Sequence, residues 1–533
     1  MPHILQKRNN LKRASLFIFV IIFLAVTAPA AYSSGIYRFP LFWSPDTFDP
    51  TLDSSNSVAY IVQQVGDGLV AYDRNLRVVP GLAKSWKVSR DGREYLFTLR
   101  KGVRFHNGKT LTADDVVASF LRVFRSGKLP TTGKFLGRID GAGELLAGRA
   151  DTLAGLETVS DNRVRIRLTE PYAPFLSSLA MPLAKIMPAE LARNAEDKYG
   201  KHPVGTGPFI FHSWSDNVIV LGANRDYFKG PPVLDEVHFV MYDKGDRDKA
   251  MEDFLSGKLE GTLLPGSADP DELRKKGYQV IIRPRLSIMF YGMNVNVPPY
   301  DSPDLRMALA LATDRKTNVG IELGGLYPPA HQILPLGMPG YTPENALIRY
   351  DPDEASRLLK KAGYPGGKGL GELSLASASH SDFAVKELDL FSQDLERIGV
   401  KVKPVFVDDW GEFKNGIKEG KHPFFRYALY ADAPTPDDLM APLFETGSTH
   451  NYTNFSDPEA DMLFAKARIE VDPAKRASLY RKAEIIILRK TPLVPVLFIS
   501  TQAVFQKSVQ GIDLPATGVP YLRLREISIT GLP

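Results

Sequence analysis

The side chains of residues 426–432 could hold a small ligand by its charges. This stretch reads Arg-Tyr-Ala-Leu-Tyr-Ala-Asp. If it is a strand, Arg426, Tyr430 and Asp432 share one face, because the side chains of a strand alternate between its two faces. At ~3.3 Å per residue the two charges would lie about 20 Å apart. An extended short peptide carries an ammonium and a carboxylate at opposite ends, so Asp432 and Arg426 could bind both ends through charge-assisted hydrogen bonds. A surface ion pair, or two solvated charges, is the alternative.

The sequence lacks the motifs of many hydrolases and metal enzymes. It has no Gly-x-Ser-x-Gly turn, no His-Glu-x-x-His pair and no cysteine, which excludes thiol nucleophiles, disulfides and thiolate metal sites. Residues 204–209, Val-Gly-Thr-Gly-Pro-Phe, lack the third glycine of a dinucleotide site and the Gly-Lys-Ser/Thr of a nucleotide site. These absences favour a binding protein over an enzyme, and no cofactor or metal site is predicted.

The beginning of the chain is typical of a secretory signal peptide. Four basic residues within positions 7–13 precede an apolar run at 16–26, and small residues at 28–30 and 31–33 offer cleavage sites. We predict that residues 1–31 are removed. An uncleaved anchor is the alternative, although the apolar run is shorter than the ~20 residues that span a bilayer. Without the four basic residues of this segment, 62 of the 66 Lys and Arg remain against 61 Asp and Glu, so nothing indicates nucleic-acid binding.

Hydrophobic periodicity predicts alternating strands and helices around the charged stretch. Residues 94–100 alternate apolar and polar side chains, as a half-buried strand does. Thr112 is then placed to cap a helix whose apolar residues continue at helical spacing to residue 124. Similar patterns predict strands at 36–41, 163–168, 209–211, 219–221, 289–295, 400–407 and 492–499, a proline-interrupted helical segment at 171–187, and helices at 58–70, 302–312, 351–363, 382–398, 457–469 and 474–489. Pro495 indicates that the last strand lies near a sheet edge. The alternation predicts an α/β fold.

Several blocks of the chain resemble one protein family. Residues 91–120 contain Asp-Gly…Phe-Thr-Leu-Arg…Asn-Gly…Leu-Thr-Ala-Asp-Asp-Val, which resembles the signature of the extracytoplasmic solute-binding proteins of peptide and nickel ABC importers, known as solute-binding protein family 5. Residues 204–227, 350–364 and 454–463 resemble further blocks of the same family. The resemblance therefore extends over nearly all of the chain that follows the signal peptide.

The resemblance implies a fold and a division into domains. The implied fold is periplasmic-binding-protein-like, with two α/β lobes joined by a hinge and an extra domain inserted in the N-terminal lobe. On this basis we assign residues 35–55, 185–285 and 500–533 to lobe I, residues 56–184 to the inserted domain of lobe I, and residues 286–499 to lobe II.

The resemblance also implies roles for individual residues. In oligopeptide-binding members, the residue that matches Asp432 binds the peptide amino terminus, and the one that matches Arg426 can hold a carboxylate. The residue that matches Trp410 lines a side-chain pocket, although core packing is the alternative for this tryptophan. Tyr60 is a further candidate because of its position before Gly-Asp-Gly-Leu at residues 66–69.

Two departures from the family pattern leave the ligand open. Leu429 stands where the family often has tryptophan, and residues 432–436 read Asp-Ala-Pro-Thr-Pro where Asp-Tyr-x-x-Pro is common. The space between the lobes is therefore less aromatic than is usual, so the size and identity of the ligand are not fixed by the resemblance.

The resemblance implies the periplasmic component of an ABC importer. We expect a monomer that captures short peptides between its lobes and delivers them to a membrane permease driven by cytoplasmic ATPases. Because the chain has no cysteine, it cannot carry the lipid-modified cysteine of a tethered lipoprotein, and we expect a free periplasmic protein. The alternatives are a member of the same family that binds a nickel chelate, an oligosaccharide or haem, and, in another class, a secreted hydrolase.

Overall fold

The structure is a computed structural model that describes residues 35–126, 130–194, 198–242, 245–343 and 347–530. The predicted signal peptide, residues 1–31, lies outside the described residues. Within those ranges, no helix combines the length and the apolar character needed to cross a membrane.

The strands are β1 (Ile36–Leu41), β2 (Val70–Tyr72), β3 (Val78–Pro80), β4 (Ala83–Val88), β5 (Glu94–Leu99), β6 (Leu156–Ser160), β7 (Arg163–Arg167), β8 (Phe209–Trp214), β9 (Val218–Ala223), β10 (Glu236–Met241), β11 (Gly261–Leu263), β12 (Gln279–Pro284), β13 (Ser287–Met293), β14 (Glu372–Ser377), β15 (Lys401–Phe406), β16 (Phe424–Tyr430), β17 (Leu493–Leu497), β18 (Ser500–Phe505), β19 (Val509–Gln510) and β20 (Ser528–Ile529). The helices are α1 (Asn56–Val65), α2 (Ala113–Ser126), α3 (Pro130–Leu136), α4 (Ala142–Leu146), α5 (Phe175–Ser178), α6 (Ala189–Ala192), α7 (Lys198–Lys201), α8 (Arg247–Leu255), α9 (Pro270–Lys275), α10 (Pro303–Ala312), α11 (Arg315–Thr317), α12 (Pro352–Lys361), α13 (Asp382–Glu396), α14 (Trp410–Lys418), α15 (Pro436–Phe444), α16 (Pro458–Ile469) and α17 (Pro473–Lys490).

The strands form separate sheets. Strand order is β1-β10-β9-β8 in one sheet, β4-β5-β7-β6 in a second, β11-β18-β12 in a third and β15-β14-β16-β13-β17 in a fourth. The last of these mixes parallel pairs (β14 with β15 and β16) and antiparallel pairs (β13 with β16 and β17). Strand β17 contains Pro495 and lies at the edge of this sheet, as the sequence predicts, because proline has no backbone N–H to donate to a neighbouring strand.

The strand and helix predicted around residues 94–124 are confirmed, with one difference in the cap. The alternating residues Tyr95, Phe97 and Leu99 of β5 are buried. The carboxylate of Asp115 accepts hydrogen bonds from the backbone N–H of Thr112 at 2.8 Å and from its hydroxyl at 2.9 Å. The helix entrance is therefore closed by Asp115, and Thr112 is the donor rather than the acceptor that was expected.

Several predicted boundaries were wrong. The helix predicted over 58–70 ends at Val65, and the chain turns through Gly66 and Gly68. A Cβ at Gly68 would lie 2.7 Å from the carbonyl oxygen of Leu179, so the backbone passes too close there for a helical side chain. The segment 171–187 holds only the short helix α5 and a 3-10 turn at Pro182–Ala184.

Two chain crossings lie side by side between the lobes. Strand β12 ends at Pro284 and β13 begins at Ser287, whereas β17 ends at Leu497 and β18 begins at Ser500. Since β12 pairs with β18, and β13 pairs with β17, the crossings are neighbours in space. Two short antiparallel connections of this kind suit a hinge between two α/β lobes.

Buried apolar residues form distinct clusters on the two sides of these crossings. One cluster comes from residues 286–498 and Ala516. Another comes from residues 37–65, 209–239 and 503–529, and a third from residues 69–186 together with Ala433. The assigned domain boundaries stay a prediction.

A buried carboxylate lies within lobe II. Glu484 of α17 is 1% exposed, and its Oε1 accepts the backbone N–H groups of Ile333 and Leu334 at 2.8 Å each. Burial raises the pKa of Glu484 to about 7, although the two N–H groups oppose that rise. This carboxyl therefore gives the lobe a titration near neutral pH.

Candidate ligand cleft

A pocket of about 140 Å³ lies between the lobes. Its walls come from the N-terminal end of α1, from the inserted domain, from the end of β16 and from the C-terminal segment. The lining residues include Asp53, Ser55, Val58, Thr131, Met181, Leu183, Arg285, Tyr430, Asp432, Thr517 and Tyr521. Of the five sequence-predicted site residues, Tyr430 and Asp432 line this pocket.

The end of β16 positions Tyr430 and Asp432. Tyr430 is the last residue of the strand and pairs with Ser287 of the fully buried β13. The N–H of Ala431 donates to the carbonyl oxygen of Leu286 at 2.7 Å, which fixes the chain just beyond the strand. The strand was predicted to reach Asp432 but stops two residues earlier, so Asp432 belongs to the following loop. Its side chain is 50% exposed.

Lys134 of the inserted domain reaches across to two aspartates of lobe II. Its Nζ lies 3.3 Å from Asp432 and forms a closer ion pair with Asp438. The carboxylate of Asp438 also accepts the backbone N–H groups of Asp432 and Ala433, at 2.6 and 2.8 Å. Burial raises the pKa of Asp438 to about 6, while Lys134 opposes the rise and Asp432 adds to it. The most exposed carboxylate of this cluster is that of Asp432.

Arg285 lies over the ring of Tyr430, with its guanidinium carbon 4.7 Å from the ring centre. Its NH2 group donates to the carbonyl oxygen of Thr517 at 3.4 Å, whereas its Nε is buried and has no hydrogen-bond partner among the described residues. Gly518 leaves room for this arrangement. A Cβ there would lie 3.1–3.2 Å from the guanidinium, and the backbone has a φ of 96°.

Arg426 is engaged inside lobe II. Its Nε donates to Glu387 at 2.5 Å, and the hydroxyl of Tyr291 donates to the same carboxyl group. Burial raises the pKa of Glu387, and the charge of Arg426 opposes the rise. Arg426 was expected to share a face with Asp432 and to hold a ligand carboxylate. That role stays a prediction, although an existing carboxylate partner disfavours it.

Trp410 and Tyr60 lie outside the pocket lining. Trp410 is the first residue of α14, is 50% exposed and stacks on Tyr427 with ring centres 5.8 Å apart. Tyr60 packs against Phe39 and Phe239 of lobe I, each at 6.0 Å between ring centres. Trp410 is therefore half exposed but stacked on its neighbours Tyr427 and Phe413, whereas the contacts of Tyr60 are those of a core residue.

Sequence reasoning missed Lys134, Arg285 and Asp438. Lys134 and Asp432 are 298 positions apart in the chain. Arg285 directly follows an ordinary strand, and nothing in its local pattern distinguishes it from Arg283. No described group of three or more His, Asp or Glu side chains has the arrangement of a metal site.

Comparisons with known proteins agree on one family. The model of the bacterial extracellular solute-binding proteins, family 5 (middle region), matches residues 77–451. The chain is 29% identical to di/tripeptide-binding protein 2 of Pseudomonas aeruginosa, over 85% of this chain and 87% of that protein. It is 31% identical to haem-binding protein A of Haemophilus influenzae, over 89% of this chain and 88% of that protein. Among solved structures, HbpA2 of Haemophilus parasuis matches with a TM-score of 0.81 and 26% identity, over 93% of this chain and 100% of that one.

Proposed function

This chain belongs to the bacterial extracellular solute-binding proteins of family 5, and we propose that it captures short peptides for import. The observation that carries this proposal is the charge arrangement in the pocket between the lobes. A half-exposed carboxylate, Asp432, and a guanidinium, Arg285, line the same pocket, and the guanidinium lies over the ring of Tyr430. Such a pair complements a peptide, which carries an ammonium and a carboxylate. Several relatives are dipeptide-binding or di/tripeptide-binding proteins, which supports the same ligand class.

Asp432 is proposed to bind the ligand ammonium. In a pocket shielded by both lobes, an unpaired charge on the ligand or on the protein would be costly, so each must meet a partner. Lys134 at 3.3 Å already balances part of the charge of Asp432. Because Lys134 is held more closely by Asp438, a ligand ammonium can take the exposed side of Asp432 while Lys134 remains on Asp438.

Contacts between the inserted domain and lobe II support capture by closure. The hydroxyl of Tyr172 donates to Asp437 at 3.1 Å, and Arg468 donates to the same carboxylate at 2.8 Å. The N–H of Ala173 donates to the carbonyl oxygen of Arg468 at 2.7 Å. A ligand that binds this closed arrangement better than an open one shifts the population towards it.

Delivery to a permease completes the proposal. The protein would act in the periplasm after removal of residues 1–31 and would release the peptide unaltered to membrane subunits. The energy would come from cytoplasmic ATPases, since this chain has no nucleotide-binding motif. The proposal treats residues 286–499 as lobe II and residues 56–184 as an insertion in lobe I.

Titration calorimetry with a panel of di- to pentapeptides tests the proposal. We expect one peptide bound per chain, together with a rise in melting temperature and recovery of the intact peptide by mass spectrometry. Haem and a nickel chelate serve as competing ligand classes in the same panel. Binding of one of them without any peptide binding would refute peptide capture, and recovery of peptide fragments would instead indicate a hydrolase.

A further inference from the structure

We propose that a second pocket, formed by lobe I and its inserted domain, binds a small anion that carries a carboxylate or a phosphate group, with Lys185 as its cationic partner. This lobe I pocket has a volume of about 330 Å³ and is lined by residues from the segments 63–80, 180–185, 208–229 and 513–526. None of its lining residues comes from 286–499, so it differs from the peptide pocket between the lobes. The site does not require peptide capture.

Lys185 is buried at this pocket without a partner. The residue lines the lobe I pocket and is 8% exposed. Among the described residues, no carboxylate lies within 4.0 Å of its ammonium group, and no acceptor receives a hydrogen bond from it. Burial lowers the pKa of Lys185 to about 8, while Asp67 opposes the fall and Lys229 adds to it. A buried ammonium group without a partner is costly, and a bound anion would supply that partner.

Asp67, the acidic residue that attracts Lys185, is already engaged by other groups. Its carboxylate accepts hydrogen bonds from the hydroxyl of Thr206 at 3.0 Å and from the hydroxyl of Tyr227 at 2.9 Å. It also forms an ion pair with Lys229 at 3.4 Å. Since Lys229 takes the direct ion pair, Lys185 is the second cation beside a single carboxylate, and these three residues carry one net positive charge when both lysines are protonated.

The other acidic residues that line the pocket each have an arginine partner. The pairs and their N···O distances are Asp73–Arg77 at 2.7 Å, Asp513–Arg74 at 3.6 Å, Glu526–Arg74 at 2.6 Å, Glu526–Arg523 at 3.7 Å and Glu526–Arg525 at 3.4 Å. Five Lys and Arg residues line the pocket against four Asp and Glu residues. The lining therefore has an excess of one positive charge, and Lys185 is the lining cation that no described carboxylate pairs with.

The C-terminal end of α1 borders the pocket at Gly66, and the partial negative charge of a helix end opposes an anion. Two carbonyl groups of this end already accept N–H groups. The carbonyl oxygen of Val62 accepts the N–H of Gly66 at 2.9 Å, and that of Val65 accepts the N–H of Gly207 at 2.8 Å. Because these carbonyl groups are satisfied, their repulsion is weaker than the attraction of a full charge on Lys185.

Thr517 adds a second unused donor to the pocket lining. It is 6% exposed, and its hydroxyl has no hydrogen-bond partner among the described residues. A carboxylate or a phosphate offers several acceptor oxygens, which suits a pocket lined by an ammonium and a hydroxyl. Thr517 and Tyr521 also line the peptide pocket, so the two pockets share part of a wall.

Titration calorimetry with inorganic phosphate and with succinate, in a chloride buffer at constant ionic strength, tests the site. We expect saturable binding of at least one of the two anions, with one anion per chain. Lys185→Met keeps the length of the side chain and removes its charge, and it should weaken that binding at least about tenfold, because a hydrogen bond to a charged group is lost. Lys87→Met is the matched control, since Lys87 is an exposed lysine on β4 that does not line the pocket, and it should bind the anion as the wild type does.

Three results would overturn the site. They are the absence of saturable binding of either anion, equal anion affinities of the wild type and Lys185→Met, and strict competition between the anion and a bound peptide, which would place the anion in the peptide pocket. A peptide that binds the wild type should still bind the anion-loaded protein. If Lys185→Met did not fold, Thr517→Val would decide, with an expected loss of anion affinity of roughly two- to tenfold, and an unchanged affinity would count against the site.

Discussion

Replacing Asp432 by Asn removes the charge that is proposed to bind the ligand ammonium while keeping the shape of the side chain. A hydrogen bond to a charged group contributes about 1.5–3 kcal/mol. Since 1.4 kcal/mol corresponds to tenfold in affinity, the loss should lie between roughly tenfold and 150-fold. Asp432 is 50% exposed, and its charge is already partly balanced by the ammonium of Lys134, which also pairs with Asp438. Both facts place the expected loss of affinity near the lower limit, at about tenfold. Asp432→Ala should lose at least as much.

Titration calorimetry with a tripeptide and its N-acetyl form isolates this effect. The wild type should prefer the free amine about tenfold, and Asp432→Asn should bind both forms with similar affinity. Asp389→Asn, an exposed aspartate on α13, is the matched control and should behave as the wild type. If Asp432→Asn kept both the affinity and the preference for the free amine, Asp432 would not bind the ammonium and the assigned orientation of the peptide would be wrong.

Three further changes test other parts of the account. Lys134→Met should raise the affinity for free-amine peptides by about threefold, because it removes a competing ammonium from Asp432; unchanged or weaker binding in calorimetry would contradict this competition. The pKa of Glu484 is about 7 in the folded protein, which is above its value in the unfolded chain. Between pH 4.5 and 7 the folded protein therefore keeps this proton while the unfolded chain loses it. The free energy of unfolding should fall by up to about 3 kcal/mol as the pH rises across this range. Glu484→Gln should flatten this slope in urea denaturation, and an equal slope would assign it to other groups. Gly518→Ala should weaken peptide binding, because the added methyl group would displace the guanidinium of Arg285. Gly230 has a φ of 93° and no neighbour closer than 4.0 Å, so Gly230→Ala should lower stability without lowering peptide affinity. Equal peptide affinities of the two variants would refute the role of Gly518.

The sequence predicted the secondary structure well wherever local signals were strong. Helix α12 begins after the capping Asp351 and ends before Gly363, whose φ is 95°, and both boundaries follow from residue type. The helix predicted beyond Val65 was wrong, because the close approach of a distant backbone at Gly68 stops it. Such an approach depends on tertiary packing and leaves no local pattern.

The candidate site was predicted only in part, for the same reason. Tyr430 and Asp432 were found because they lie two residues apart in a stretch that resembles a family motif. Arg426 belongs to the same stretch, yet its side chain is paired with Glu387, which lies 39 positions away in the sequence. Hydrophobic periodicity predicts that Glu387 lies on a helix, but it does not predict this ion pair. Arg285 lines the pocket and Lys134 reaches Asp432, although both are far in the chain from residues 426–432. Pairing between side chains distant in sequence is what local reasoning cannot supply.

The crystal structure of the protein with a bound tripeptide would test the central claim most directly. The account predicts an intact peptide between the lobes, with its ammonium at about 3 Å from the carboxylate of Asp432 and its carboxylate at about 3 Å from the guanidinium of Arg285. A peptide bound elsewhere, bound in the reverse direction or cleaved in the site would contradict it.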